Sequence, residues 1–296
     1  METVCLNPVA SVLVCGSRRQ EGHFSDIADL FRILLNDGFS VMAESRFAAY
    51  LRSNGVDLSA GVSEVSEVTD DIGAVISLGG DGTFLRVARM VGDRGIPILG
   101  INTGHLGFLA SYTLADRSEL SRSLRTGNAC VEARTVLRME SASLPDAEWP
   151  FALNEVAVLK DATASMITVH AEVDGHFLAD YLADGLVVST ATGSTAYNLS
   201  AAGPLLAPTL TNMILSPLAP HSLTLRPLVL SGSSRLCLRA DSRSSYCRVA
   251  VDGRSFQVKS GTSLTVERAS FCIYVIRRIG DDFASILRNK LLWGVR

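Results

Sequence analysis

The sequence predicts an α/β protein in two parts, an N-terminal domain built on a parallel sheet and a β-rich C-terminal domain. Up to about residue 113, short apolar runs alternate with stretches of helical spacing, the pattern of β and α elements in turn. From about residue 130 to 275 the chain changes to alternating apolar and polar residues closed by Asp-Gly turns, which is the language of hairpins. A length of 296 residues, 47% hydrophobic and 19% charged, is enough for two cores.

The elements follow in order. Ser11–Cys15 is a short apolar strand ending at Gly16-Ser17. Ser25 followed by Ile27, Leu30, Phe31, Leu34 and Leu35 before Gly38 reads as a capped amphipathic helix with a glycine stop. Phe39–Met42 is a strand, Phe47–Leu51 is helix-like, and Ala74–Leu78 and Ile96–Ile101 are buried strands. In such a parallel sheet, ligands gather at the carboxyl ends of the strands. A polar helix-like segment, Asp116–Thr126, precedes the β-rich part. There Ile167–Val173 closes at Asp174-Gly175, and Leu225–Val229, Arg235–Arg239, Cys247–Val251 before Asp252-Gly253, and Ser263–Glu267 continue the pattern. Phe283–Trp293 returns to helical spacing with Ile286, Leu287, Lys290 and Leu291 on one face.

Composition excludes several classes of function. A formal net charge of −3 gives no electrostatic footprint for nucleic acid. No run reaches the roughly 18 apolar residues of a membrane span, and the N-terminus lacks a secretory charge pattern, so a cytoplasmic protein is expected. Six scattered cysteines, without a CxxC pair and apart from the five histidines, point to reduced thiols rather than a disulfide framework or a dedicated metal site.

The most informative stretch is Leu78-Gly79-Gly80-Asp81-Gly82-Thr83. Glycines at 79, 80 and 82 remove Cβ atoms, so backbone N–H groups can close on an anion where a helix begins. Asp81 repels such an anion unless a metal lies between them or it accepts a proton from an incoming hydroxyl, a combination that suggests phosphoryl transfer. The competing reading is a tight turn with Asp81 capping the helix.

Three further clusters accompany it. Gly100-Ile101-Asn102-Thr103-Gly104-His105-Leu106-Gly107-Phe108 also follows a strand, and reads either as a ligand-approach loop or as a plain turn. Asn154-Glu155 offers donors and acceptors matching vicinal sugar hydroxyls or a purine edge. Asp184-Gly185 leads a strand into Thr192-Gly193-Ser194-Thr195-Ala196-Tyr197-Asn198-Leu199-Ser200, a second polar-ligand loop or a hydroxyl-rich helix cap.

In this order and spacing, the GGDGT turn, the Gly100–Phe108 loop, Asn154-Glu155, Asp184 and the TGSTAY segment resemble the NAD kinase family over most of the chain. The first motif alone is shared with diacylglycerol and sphingosine kinases; the Asn-Glu pair and TGSTAY narrow it. The resemblance implies the NAD kinase/diacylglycerol kinase-like fold, with residues 1–115 as the α/β domain, 116–275 as the β-rich NAD-binding domain and 276–296 packing back on the first. It also implies a site between the domains and ATP-dependent phosphorylation of the adenosine 2′-hydroxyl of NAD to give NADP. Mg²⁺ or another divalent cation would come with ATP, and a homo-oligomer, dimer or tetramer, is implied. Carried over by position, Asp81 would accept the proton, Gly79, Gly80, Gly82 and Thr83 would grip phosphate, and Arg86 would lie near the phosphates. Asn154, Glu155 and Asp184 would hold ribose and base, with Thr192, Thr195, Ala196, Tyr197, Asn198, Leu199 and Ser200 walling the dinucleotide pocket. The chain departs from the family pattern at Ala191, where proline is frequent, at Ser165 and at Arg254.

Rival readings are set aside on particular residues. A lipid or sugar kinase leaves Asn154-Glu155 and TGSTAY without a nucleotide to hold, Gly79-Gly80-x-Gly82 lacks the G-x-G-x-x-G spacing of a dehydrogenase, and an intact Asp81 speaks against a non-catalytic sensor.

Overall fold

The computed structural model describes residues 3–58, 61–104, 107–141, 149–161 and 165–294. The chain divides into two compact units: residues 2–133 with 273–296, and residues 134–272 with Met1. In the first unit the strands Val62–Val65, Ser40–Glu44, Ser11–Gly16, Ala74–Leu78 and Ile98–Asn102 lie side by side, all parallel. Beyond Ile98–Asn102, Val275 and Ile276 at the end of the strand Ser263–Arg277 pair in parallel with Ile98 and Leu99. All five residues of Ala74–Leu78 are buried, as expected of a strand covered on both faces. Helices Phe24–Asn36, Ser45–Ser53, Asp81–Val91 and Arg117–Thr126 belong to this unit, and Ile27, Leu30, Phe31, Leu34, Phe47, Leu51, Leu120 and Leu124 join Val12, Val14 and Ile76 in its core. The segment 116–133 therefore lies with the N-terminal unit, because Leu120 and Leu124 supply part of that core.

Two local expectations change. The first helix begins at Phe24, one residue before Ser25, and His23 at its N-cap makes no side-chain capping bond. The half-exposed strand Val62–Val65 at the sheet edge carries no apolar run to announce it.

The second unit is antiparallel. One sheet places His176–Ala183, Ile167–Val173, Leu236–Asp241 and the first part of Ser263–Arg277 in that order. The other runs Leu228–Leu230, Met213–Leu218, Gly185–Thr190, Glu155–Leu159, Tyr246–Val251 and Arg254–Lys259. Val156, Val158, Leu186, Val188 and Val249 from the second sheet share one core with Ile167, Val169, Leu236 and Leu238 from the first. Asp174 and Asp252 both have positive φ, at 52° and 47°, and each is followed by a glycine of positive φ, as a two-residue hairpin turn demands. Among the described residues no helix is long and apolar enough to cross a membrane.

Candidate functional site

The strand Ala74–Leu78 ends in Gly79-Gly80, and the helix Asp81–Val91 starts directly behind it. Only Gly79 of the three turn glycines has positive φ, at 149°, and a Cβ there would sit 2.4 Å from Thr83 Oγ1. Gly80 (φ −89°) and Gly82 instead face open space, so at these positions glycine matters for clearance rather than for backbone conformation. The Thr83 and Phe84 N–H groups bond the Gly80 carbonyl at 2.9 and 3.2 Å. The N–H groups of Asp81 and Gly82, in the first turn, have no carbonyl four residues back within the helix. Unpaired N–H groups at a helix start are the kind of donors that suit an anion, and there is room in front of them.

Asp81 makes no capping bond to its own helix. Its carboxylate accepts from the Phe108 N–H at 2.9 Å and the Leu109 N–H at 3.1 Å, across to the loop after the strand Ile98–Asn102, rather than capping its own helix. Gly107 permits this contact: a Cβ at that position would lie 2.1 Å from Asp81 Oδ1. The two glycine clusters of the sequence are thus brought together in one place. Asn102 closes its own turn by accepting the Gly104 N–H at 2.9 Å. His105 and Leu106, named in that motif, lie outside the described residues. The Arg86 guanidinium forms a bidentate pair with the buried Glu44, at 2.6 and 2.8 Å, and donates to the Gly16 carbonyl at 3.0 Å. Burial opposes its charge, but the Glu44 bond and charge outweigh that and keep it firmly cationic.

The second unit carries a separate group. Asn154 and Glu155 sit where the strand Glu155–Leu159 begins, and the Asp252 carboxylate gathers the N–H groups of Leu153, Asn154 and Glu155 at 2.7, 2.8 and 3.2 Å. Burial raises the Asp252 pKa, with these bonds acting against it. Burial and then the charge of Asp252 push Glu155 up to about 7, opposed by a bond from the Tyr197 backbone N–H. Glu155 Oε2 is buried and meets no donor among the described residues, a carboxylate oxygen suited to a ligand hydroxyl.

Thr192–Thr195 forms a 3-10 turn and Tyr197–Ser200 a short helix behind the strand Gly185–Thr190. A Cβ on Gly193 would lie 2.1 Å from the Asn154 carbonyl oxygen, so this glycine lets the TGSTAY turn lie against the Asn-Glu segment. Asn198 is fully buried, donating to the carbonyls of Ser194 and Pro204 at 3.1 and 3.0 Å and accepting from Ser216 Oγ at 2.7 Å; its groups are occupied in holding the turn. Thr192 is buried beside Arg134. Thr195, Ala196 and Leu199 are half-buried and Tyr197 and Ser200 exposed, so they form the open side. Asp184 pairs with Lys160 at 2.7 Å. Ala191 is buried with φ −61°, which a proline would also satisfy. Arg254 donates to the Trp149 carbonyl at 2.9 Å and Ser165 is exposed.

A glycine turn that sets a carboxylate at a helix start on a parallel sheet, with an antiparallel β unit in the same chain, defines a kinase of the NAD kinase and diacylglycerol kinase-like fold. Residues 28–128 match the ATP-NAD kinase N-terminal domain and residues 153–278 the ATP-NAD kinase C-terminal domain. The chain belongs to the NAD kinase family. It is 39% identical over 282 residues to an NAD kinase of Bacteroides fragilis, covering 95% of this chain and 97% of that one. An NAD kinase of Porphyromonas gingivalis is 40% identical over 286 residues, covering 96% and 98%. Among solved structures, an Archaeoglobus fulgidus NAD kinase in complex with ATP aligns with a TM-score of 0.70 at 27% identity, covering 91% of this chain and 94% of that one. Yeast NADH kinase complexed with NADH shares the fold, with a TM-score of 0.87 at 23% identity over 98% of this chain and 89% of that one.

Proposed function

We propose that this protein is an NAD kinase, transferring the γ-phosphoryl group of ATP to the 2′-hydroxyl of the adenosine ribose of NAD. The observation that carries the reading is Asp81, a carboxylate held by two backbone N–H groups at a phosphate-binding helix start. A secondary alcohol is a weak nucleophile at neutral pH. Asp81 accepts its proton as the O–P bond forms, a contribution of about 10²–10⁴-fold. Positioning and electrostatic stabilisation supply the rest, the latter from the Asp81 and Gly82 N–H groups of the first helical turn; the Gly79 and Thr83 N–H groups are taken by the Ile101 and Gly80 carbonyls. Arg86 acts at one remove in this account, tying the helix behind Asp81 to Glu44. Asn154, Glu155 and Asp184 bind ribose and base groups, and Thr192, Thr195, Ala196, Tyr197, Leu199 and Ser200 line the dinucleotide, with Asn198 holding their turn in shape.

A divalent cation fits this donor set. Among the described residues no group of three His, Cys, Asp or Glu forms a dedicated site, and each Asp81 oxygen accepts only one N–H. Mg²⁺ is commonly held by one or two carboxylates with phosphates and water, so Asp81 is the residue that would face it. When bound it neutralises charge on the transferring phosphoryl group. Cytoplasmic location and a homo-oligomeric state belong to the same proposal and are checked by fractionation and light scattering. The direct test is a coupled assay of purified protein with ATP, Mg²⁺ and NAD, read as NADP⁺ formed; turnover supports the reading and its absence at high enzyme concentration overturns it.

A further inference from the structure

The C-terminal helix Phe283–Leu291 buries none of its side chains fully. Its half-buried face, Ile286, Leu287, Lys290 and Leu291, contributes one charged group to the neighbourhood of Asp81. The Lys290 ammonium donates to the Gly107 carbonyl and lies 3.4 Å from the Ala110 carbonyl oxygen, with the Phe108 ring centre 5.4 Å away. Between those two carbonyls stand the Phe108 and Leu109 N–H groups that hold Asp81.

The Gly107 carbonyl and the Phe108 N–H are two ends of one peptide group. A cation on the oxygen polarises that peptide and strengthens what its N–H donates, so ammonium, peptide and carboxylate form one chain of charge-assisted bonds. We propose that Lys290 is a positioning residue for phosphoryl transfer: acting through the Gly107–Phe108 peptide, it fixes the Asp81 carboxylate in the orientation that accepts the proton. The inference rests on the NAD kinase reading of Asp81. The charged groups around Lys290 come from three places: Asp81 at its helix start, Arg277 at the end of a strand, and Asp281 in the connecting turn. Burial first and Arg277 second lower the Lys290 pKa to about 8, with Asp81 and Asp281 opposing them. Arg277 is itself engaged, 3.7 Å from Asp281 and 3.9 Å from Glu132.

The test compares the full-length wild type with Lys290→Met and Lys290→Arg by NADP⁺ formation across pH, by melting, and by amide exchange of the peptide containing Phe108 and Leu109. Lys290→Met is expected to lower kcat about 10- to 100-fold, the scale of a misplaced catalytic group, with KM for NAD and ATP within about twofold. Its Phe108 and Leu109 amides exchange faster without nucleotide. Wild-type kcat declines as pH rises past about 8, whereas Lys290→Arg, which keeps its charge, stays active without that decline. Unchanged kcat and exchange in Lys290→Met, a loss expressed equally in both KM values, or a wild-type alkaline decline retained by Lys290→Arg overturns the proposal. Should Lys290→Met not fold, the Lys290→Arg profile decides. Wild-type turnover in the same assay separates this failure from failure of the kinase reading.

Discussion

Replacing Gly107 with alanine places a single methyl group against the carboxylate on which the chemistry depends. The added Cβ would lie 2.1 Å from Asp81 Oδ1, 2.6 Å from its Cγ and 3.0 Å from Oδ2. An ordinary contact begins near 3.4 Å, so one partner must retreat by 3.4 − 2.1, about 1.3 Å. The expected effect is steric, the new methyl group meeting the Asp81 carboxylate. A shift of that size cannot keep both N–H bonds to Asp81, now 2.9 and 3.1 Å. Displacing a catalytic group by about 1 Å costs on the order of 10²-fold in rate, or about 2.7 kcal/mol of barrier. Overpacking of this kind costs about 1–3 kcal/mol of stability, a few degrees of melting temperature. Gly107→Ala should therefore stay folded at assay temperature while kcat for NADP⁺ formation falls about 100-fold and KM for ATP changes little. A Gly107→Ala enzyme with kcat within about twofold of wild type would refute the contact or its catalytic role.

Glu155 titrates near 7 in the fold against 4.5 unfolded, so the folded state binds more protons between those values and the unliganded protein loses stability as pH rises from about 4.5 through 7. The full shift corresponds to at most about 3 kcal/mol; Glu155→Gln should melt higher than wild type at pH 8 and flatten the pH dependence of melting, and identical curves contradict the burial argument. Glu155→Ala should lower kcat/KM for NAD about 10- to 150-fold, the equivalent of about 1.5–3 kcal/mol, with little change in KM for ATP; titrating each substrate with the other saturating checks this, and a symmetric loss removes Glu155 from the acceptor pocket. Gly80→Val should leave the unliganded melting temperature nearly intact, because a Cβ at 80 meets nothing within 4 Å, yet weaken ATP use by filling the clearance in front of the helix start; a large loss of unliganded stability with normal KM for ATP speaks for a purely structural turn.

The strand, turn and helix around Asp81 were legible because each signal is local: a buried apolar run, three closely spaced glycines and a resumed helical period all fall within residues 74–91. Partners set by the tertiary fold were not. Asp252 organises Asn154-Glu155 from 98 and 97 residues away, and in sequence it is only the Asp of a hairpin turn. Lys290 reaches Gly107 across 183 residues, and nothing but its place on a helical face marked it. Arg86 sits one turn into the helix after the glycines, where a phosphate contact is the natural reading, but Glu44, 42 residues earlier, takes its guanidinium. Of the three glycines read as a cluster, only Gly79 takes a positive φ, a difference that the run of glycines does not show. The edge strand Val62–Val65, half-exposed and interrupted by Ser63 and Glu64, has no periodic signal to read.

The central claim is that Asp81 accepts the 2′-hydroxyl proton, and the kcat of Asp81→Asn tests it most directly. Asparagine preserves the side chain's size but cannot take a proton, and its oxygen can still accept one of the two N–H bonds from Phe108 and Leu109. NADP⁺ formation by the purified variant, with ATP, Mg²⁺ and NAD saturating, should fall by about 10²–10⁴-fold, with melting close to wild type. A kcat near normal with an unaltered melting temperature would show that Asp81 only braces the loop after the strand Ile98–Asn102, and the proposed mechanism would be wrong.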